Sequence, residues 1–325
     1  MGYYYIELLT RFGFADDCKR IAYLEVDESA VADSERVRID VCWSVGLGLG
    51  TVDIIPDPDE MVAIAAGFCV PHRPQGERVL RPLRLVQISD PHLGPFMSVA
   101  RLRAICERAV AAQPDLVLLT GDFLTMESQS SVEPLRQALA PLAALPGRVY
   151  ACRGNHDLEA PAIVDAALRH NGIRLLVDEA ATAKTPWGEV ELLGFDFTFR
   201  EREAHLNRVT ARHPRRGDRL RIALLHDPSA FRFLPPAAAD LVLSGHTHGG
   251  QLGLVSIGGS WTVPRLVDVP DHGLWARGRN RMYIHRGTGH YGFPLRLGVP
   301  AEEGVIHVHW QPPGATSLAA GGHQS

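Results

Sequence analysis

Lysine is nearly missing from this 325-residue chain. Only Lys19 and Lys184 are present, so arginine carries almost all of the positive charge. Basic residues number 33 against 37 acidic ones, a net charge of −4. That balance excludes the strongly basic surface of a general nucleic-acid binder, and nucleic acid is not an expected partner. Cysteine is also scarce. Cys18, Cys42, Cys69, Cys106 and Cys152 are odd in number, widely spaced and free of any CxxC pair. Neither a disulfide framework nor a structural zinc site is expected; free thiols in a reducing compartment are. Long apolar runs are lacking too. The best, Met61 to Val70, is about half of the roughly 18 residues a spanning helix needs. The first residues show no basic segment followed by an apolar one, so no export signal is expected. The expected location is the cytoplasm, with peripheral contact at an inner membrane as its variant.

What is present suffices for a folded domain. Hydrophobic residues make up 46% of the chain, enough at this length to bury a sizeable core and to exclude wholesale disorder. Residues 1–80 read as an N-terminal extension of unknown role, partly β, with strand-like runs at Arg36 to Cys42 and Thr51 to Ile55. The run from Gly46 to Gly50 fits neither the dinucleotide nor the P-loop spacing. Pro71, Pro74 and Gly76 mark a linker. A second unit spans 81–310, and the tail 311–325 reads as disordered.

From Leu83 the chain alternates. Leu83 to Ile88, Asp115 to Thr120 and Arg148 to Cys152 read as strands. Ala100 to Ala112 reads as a helix with Leu102, Ile105, Cys106, Ala109 and Val110 on one face. Leu135 to Leu142 suggests a second helix, kinked near Pro141. Pro161 opens a third, and Asn171-Gly172 closes it. This rhythm predicts an α/β fold with parallel strands. Strand-like runs dominate after residue 189, at Val190 to Phe195, Leu220 to Leu225, Leu241 to Ser244, Arg281 to His285 and Gly304 to Val308.

Where these runs stop, polar residues appear: Asp90 and His92, Asp122, Asn155 and His156, His226, then His246 and His248. In α/β sheets ligand sites form beyond the carboxyl ends of strands, so separate segments can converge on one cleft. Oxygen and imidazole donors without thiolate suit manganese, iron, zinc or related divalent ions. Seven candidate ligands exceed one tetrahedral ion but suit two ions sharing one carboxylate, a recurrent phosphoryl-transfer device. Each piece alone is common: Asp-x-His occurs by chance, Gly-Asp is an ordinary turn, and a lone histidine such as His226 is usually structural. Their order, each after an apolar run, is what carries the reading.

Asp90-Pro91-His92, Gly121-Asp122, Gly154-Asn155-His156-Asp157, His226 and Gly245-His246-Thr247-His248 together resemble the calcineurin-like metallophosphoesterase superfamily, over about residues 83–310. The resemblance implies a four-layer α-β-β-α sandwich of two mixed sheets flanked by helices. It implies two divalent ions, manganese first, with iron or zinc as the other choices. Asp90, His92 and His248 would bind one ion, Asn155, His226 and His246 the second, and Asp122 would bridge them. A metal-bridging hydroxide would attack a phosphoester, with a phosphodiester as the expected substrate. His156 would assist the leaving group, with Asn155 beside it. Asp157 would either orient His156 or simply shape the turn.

Gly249-Gly250-Gln251 and the His285 to Pro294 segment resemble a bacterial branch that includes UDP-2,3-diacylglucosamine pyrophosphatases. That resemblance implies a second possible substrate, a nucleotide-linked lipid precursor. The third possibility is a non-catalytic metal-binding scaffold; its members commonly lose a motif residue, and none is lost here. Two further features concern the substrate. Arg200 to Arg221 holds eight arginines (200, 202, 208, 212, 215, 216, 219 and 221) against Glu201, Glu203 and Asp218, a local 8 − 3 = +5. Guanidinium forks suit phosphate, but arginine enrichment is global here, so a solvated surface is the preferred reading. Trp261, Trp275, Tyr291 and Phe293 would form an apolar rim for acyl chains or an aromatic leaving group, unless they only pack. His272, His285 and His290 read as structural.

Overall fold

The short apolar runs have one physical origin: nearly every position in them is buried, because layers cover both sheet faces. The computed structural model describes residues 3–12, 18–21, 37–41, 50–54, 62–64, 69–71, 82–216, 219–251, 270–277, 280–292, 296 and 301–311. Trp261, Phe293, the Gly46 to Leu49 run, Pro74 to Gly76 and the tail beyond Gln311 lie outside them.

The first segments are strands β1 (Tyr3–Phe12), β2 (Cys18–Ile21), β3 (Val37–Val41), β4 (Gly50–Ile54), β5 (Val62–Ile64) and β6 (Cys69–Pro71). Next come β7 (Leu83–Ile88), β8 (Leu116–Leu119), β9 (Val149–Ala151) and β10 (Arg174–Leu175), all parallel, with β17 (Glu302–Gln311) antiparallel on the other side of β7. The order in this sheet is β10-β9-β8-β7-β17-β1-β2, with β6 also on β1. The second sheet joins β11 (Glu179–Thr185), β12 (Gly188–Gly194), β13 (Arg221–Leu224), β14 (Leu241–Ser244), β15 (Gly273–Arg277) and β16 (Asn280–Ile284). Its order is β11-β12-β13-β14-β16-β15-β5, and β12, β13, β14 and β16 are parallel.

Side chains sort by alternation. Leu83 and Leu85 of β7 and Leu116 and Leu118 of β8 meet Leu192, Ile222, Leu241 and Leu243 in the core between the sheets. Val86, Ile88, Val117 and Leu119 face outward onto helices α1 (Val99–Ala111), α2 (Glu133–Leu139) and α3 (Pro161–His170). Leu193, Ala223 and Val242 pack on α4 (Arg202–Arg212). The result is the expected four-layer α-β-β-α sandwich of two mixed sheets.

Local chemistry sets the element ends. The Ser98 hydroxyl accepts the Arg101 N–H and caps α1, whose buried face is Leu102, Ile105, Cys106 and Ala109. Pro141 has no N–H to donate, so α2 stops at Leu139 and a 3₁₀ turn, Ala140–Ala144, replaces the kink. Gly172, at φ +69°, closes α3. Among the α-helices and strands from β7 onward, four lie outside the expected pattern, β10, β11, β15 and α4, as do β1, β2, β5 and β6 before them.

Helix α4 opens the arginine-rich segment, of which Arg200, Arg208, Arg212 and Arg216 are exposed, as the solvated-surface reading expects, while the other four are paired. Arg221 is fully buried and forked onto Glu191, at 2.8 and 2.9 Å. Arg215 pairs with Asp240 at 2.6 Å, Arg219 with Glu189 at 2.6 Å and Arg202 with Asp227 at 2.8 Å. Half of the cluster is therefore neutralised by carboxylates, all of them outside it in sequence. Trp275 packs in the core beneath β14 and donates to the His272 carbonyl, so it is not part of a rim. Cys106 and Cys152 are buried free thiols. Among the described residues, no helix is long and apolar enough to cross a membrane.

Candidate metal centre

The carboxyl ends of β7, β8 and β9 meet those of β13 and β14 across the two sheets. The Asp90 N–H donates to the Gly121 carbonyl (3.0 Å), and the His246 N–H donates to Asp90 Oδ1 (2.9 Å). The Gly245 N–H donates to the His226 carbonyl (3.0 Å). Every candidate ligand therefore sits in a loop tied to another ligand's loop.

Two groups of ligand atoms result. Asp90, His92 and His248 form one, and Asp122, His226 and His246 the other, with the atoms of each within 4.8 Å of one another. His92 Nε2 and His248 Nε2 are 3.1 Å apart, and His226 Nε2 and His246 Nδ1 are 3.2 Å apart. Asp122 Oδ2 lies 3.2 Å from His226 Nε2 and 3.6 Å from His92 Nε2, facing both groups. The Asn155 side-chain oxygen is buried without a hydrogen-bond partner among the described residues. Its neighbour His156 donates its backbone N–H to Asp122 Oδ1 at 2.9 Å. Converging ring nitrogens, two carboxylates and an orphaned amide oxygen fit a pair of divalent cations.

The backbone is bent to this purpose. Asp90, His92, Asp122, His246 and His248 all have φ between +46° and +71°. Left-handed backbone is uncommon outside glycine and is tolerated where the surroundings enforce it, typically at functional sites. The motif glycines supply room. A Cβ on Gly245 would lie 1.9 Å from Ser89 Oγ and 2.2 Å from Asp90 Oδ2, and one on Gly154 would lie 2.1 Å from Asp122 Oδ1.

Behind the ligands runs a buried polar chain. Gln87 Nε2 donates to Thr120 Oγ1 (3.0 Å), Thr120 to Ser89 Oγ (2.6 Å), and Ser89 to Asp90 Oδ2 (2.5 Å). His226 Nδ1 is 2.6 Å from the Thr120 carbonyl, which accepts its proton and leaves Nε2 as the ligand atom. The loop after β16 braces the same place: the Thr288 N–H donates to the Ser89 carbonyl and the Gly289 N–H to that of Asp90.

Burial dominates the electrostatics. It holds His92 and His246 down at about 4 and His248 well below its ordinary value, so all three are neutral ligands near pH 7. Burial and the Asp122 charge raise Asp90 to about 7, against the pull of His226. Burial also disfavours charge on Asp122 and His226, but each outweighs it for the other. Asp122 stays well below the usual carboxylate range, and His226 rises to about 10. A divalent cation competes with that His226 proton for the same lone pair.

His156 stands beside the first group, its ring 5.4 Å from that of His92 and covered by Tyr291 at 4.3 Å. Its Nδ1 lies 3.0 Å from Glu159 Oε1. Asp157 does not touch that ring. Its buried carboxylate instead accepts three backbone N–H groups, from Asp122 (2.8 Å), Phe123 (2.8 Å) and Gly154 (2.7 Å). Phe197 lies against the second group, 5.9 Å from His226 and 6.0 Å from His246, with the exposed Phe199 edge-on to it. His285 is fully buried and accepts from the Gly287 N–H. Sequence reasoning passed over Glu159, Phe197 and the polar chain. Gln87 and Thr120 were the available signal, as polar residues inside or ending apolar strands.

Residues 83–250 match the family model described as calcineurin-like phosphoesterase. The chain belongs to that family. It is 28% identical over 236 residues to phosphodiesterase YaeI of Escherichia coli (strain K12), covering 70% of this chain and 82% of that protein. It is 30% identical over 226 residues to the uncharacterized metallophosphoesterase YkuE of Bacillus subtilis (strain 168), covering 66% and 74%. A transmembrane protein with metallophosphoesterase domain from Danio rerio is 31% identical over 69% of this chain, which spans 52% of that relative. The chain is thus a metal-dependent phosphoesterase, and its two ligand groups support a dinuclear divalent centre.

Proposed function

We propose that the enzyme hydrolyses a phosphodiester of a small-molecule or lipid-linked substrate. Asp90, His92 and His248 hold one divalent ion, Asn155, His226 and His246 hold the second, and Asp122 is shared. The observation that carries this reading is Asp122, whose Oδ2 faces both His226 Nε2 at 3.2 Å and His92 Nε2 at 3.6 Å. When bound, two such ions neutralise phosphate charge and make water nucleophilic near neutral pH.

The protein's own part is positional. The Thr120 carbonyl aims His226. The carboxylate of Asp157 ties the Gly154 turn to the Asp122 turn, which holds Asn155 and Asp122 at a constant separation. His156 donates the proton that the departing alcohol oxygen needs as the P–O bond breaks. Tyr291, 40% exposed over that ring, borders the space where the leaving group sits. The donor set suits manganese first, with iron and zinc as alternatives. The likeness to phosphodiesterase YaeI of Escherichia coli supports the diester.

The test is a substrate panel on protein reconstituted with manganese: phosphomonoesters, phosphodiesters and UDP-2,3-diacylglucosamine. Diesters are expected to turn over fastest. A monoester preference would overturn the diester assignment, and a preference for the sugar pyrophosphate would select the lipid-precursor reading. Two bound ions with no hydrolysis of any ester would leave only a scaffold.

A further inference from the structure

We infer that Glu159 is the positioning residue of His156. The inference rests on the reading of His156 as the group that protonates the leaving oxygen. Glu159 sits three residues past His156 on one 3₁₀ turn, His156–Glu159, so the two side chains share a face. Its Oε1 is 3.0 Å from His156 Nδ1. Its Oε2 accepts from Gln129 Nε2 at 2.8 Å, so the carboxylate is held from a second loop, the one following Asp122. A carboxylate offers acceptors, so the proton of that contact lies on Nδ1. The other ring nitrogen, Nε2, is then the one that exchanges a proton with substrate. Tyr291 covers the ring face at 4.3 Å and closes off rotation on that side. The adjacent Asp157, with its three backbone hydrogen bonds, has no part in this.

In the acid step the ring is the imidazolium, with a proton on each nitrogen. As a water oxygen bonds to phosphorus, the P–O bond to the leaving group breaks and its electron pair stays on the leaving oxygen. The Nε2 proton moves there, and the ring is left as the neutral Nδ1–H tautomer that Glu159 favours. Glu159 makes no contact with substrate and acts only through the direction and tautomer of the ring. Its loss must therefore matter most when the leaving oxygen is strongly basic. A p-nitrophenolate leaves without a proton; an alkoxide does not.

The experiment compares kcat and KM of wild type, Glu159→Ala, Glu159→Gln and His156→Ala on a nitrophenyl diester and on a dialkyl diester, with bound metal measured for each. Glu159 is 39% exposed on its side chain, so truncation leaves no buried hole. For Glu159→Ala we expect kcat on the dialkyl ester to fall about 10- to 100-fold, less than the roughly 10²–10⁴ that the general acid itself contributes. The nitrophenyl rate, KM and two bound ions should be kept. Glu159→Gln should recover part of the loss, because its amide oxygen still accepts from Nδ1. At a pH where the His156 ring is neutral, its ¹⁵N shifts should move from a single Nδ1–H tautomer to a mixture in Glu159→Ala. Equal losses on both esters, or no loss on either while His156→Ala is selective for the dialkyl ester, would overturn the role of Glu159 alone. If His156→Ala itself loses equally on both, the acid role of His156 fails instead.

Discussion

His226 Nδ1 lies 2.6 Å from the carbonyl oxygen of Thr120, so the end of β13 in one sheet is hydrogen-bonded to the end of β8 in the other. This one contact aligns the sheets at their carboxyl ends and chooses the ligand atom of His226. In His226→Ala the hydrogen bond, worth about 1 kcal/mol, and the ligand disappear together. Manganese titration should show one ion per chain instead of two, with the Asp90, His92 and His248 group still competent. An unchanged stoichiometry of two would remove His226 from the ligand set.

Asp122→Asn separates the two jobs of that side chain. The Asn oxygen can still accept the His156 N–H, as Oδ1 does now at 2.9 Å. The amide nitrogen replaces Oδ2 and turns a donor toward His92 and His226. Turnover should fall by about 10³ or more, since charge stabilisation at such a centre supplies several kcal/mol. Metal affinity should weaken in both groups, as read by titration with each ion. A variant that binds two ions with wild-type affinity would show that Asp122 is not shared.

Much of this centre was legible because both-face-buried strands read as unbroken apolar runs, and the ligands are the first polar residues after them. Other parts were not. Strand β11, with the sequence EAATAKT, lies at a sheet edge with several residues exposed, so nothing forces an apolar run. The arginine cluster looked free because Glu189, Glu191, Asp227 and Asp240 lie before or after it in sequence and meet it only in the folded sheet. Of the two roles open to Asp157 in the sequence, orienting the adjacent His156 or shaping the turn, its hydrogen bonds fit the second. Neighbouring side chains on a tight turn diverge, and Glu159, three residues on, returns to the same face.

Glu302 joins the two sheets away from the ligands: it lies on β17, and its carboxyl meets the Tyr283 hydroxyl of β16 and accepts the Arg286 N–H at 3.0 Å. Burial raises it from 4.5 to about 8. Between those values the unfolded chain releases the proton while the native state keeps it, so stability falls as pH rises through this window. Arg286, whose N–H it accepts, and the preceding His285 are both themselves shifted down by burial. Glu302→Gln mimics the protonated form, with its amide nitrogen donating to Tyr283 and its oxygen accepting from Arg286. Thermal melts should show little change at pH 5 and a higher Tm than wild type by several degrees at pH 8.5. Parallel melting curves across that range would contradict the prediction.

The buried Arg221–Glu191 pair predicts a stability effect with no catalytic one. Glu191→Gln leaves a guanidinium that is fully buried beside a neutral amide. Breaking such a pair from one side costs about 3–5 kcal/mol, whereas replacing both partners with apolar residues is often neutral. Urea denaturation should therefore show a large loss for Glu191→Gln and a much smaller one for Arg221→Met/Glu191→Leu. Rates per metal-loaded molecule should match wild type in both, since neither residue reaches the centre.

Two glycine-to-alanine changes should part stability from function in the opposite direction. At Gly172 an added Cβ meets nothing within 4 Å, but φ is +69°, so the cost is one strained residue at the end of α3. About 1 kcal/mol is expected from Gly172→Ala, with full activity and two bound ions. At Gly245 no left-handed backbone is involved; the added Cβ would lie 1.9 Å from Ser89 Oγ and 2.2 Å from Asp90 Oδ2. Either the His246 loop or the Asp90 side chain must move, and the hydrogen bond from the His246 N–H to Asp90 holds both in place now. Gly245→Ala should consequently weaken binding at the Asp90, His92 and His248 group first. The second ion should follow only as far as His246 is displaced. Manganese titrations of the two variants, set beside their melts, distinguish steric exclusion at the centre from simple backbone strain. Full metal binding by Gly245→Ala would mean that the close packing of Ser89, Asp90 and Gly245 is not what positions the first group.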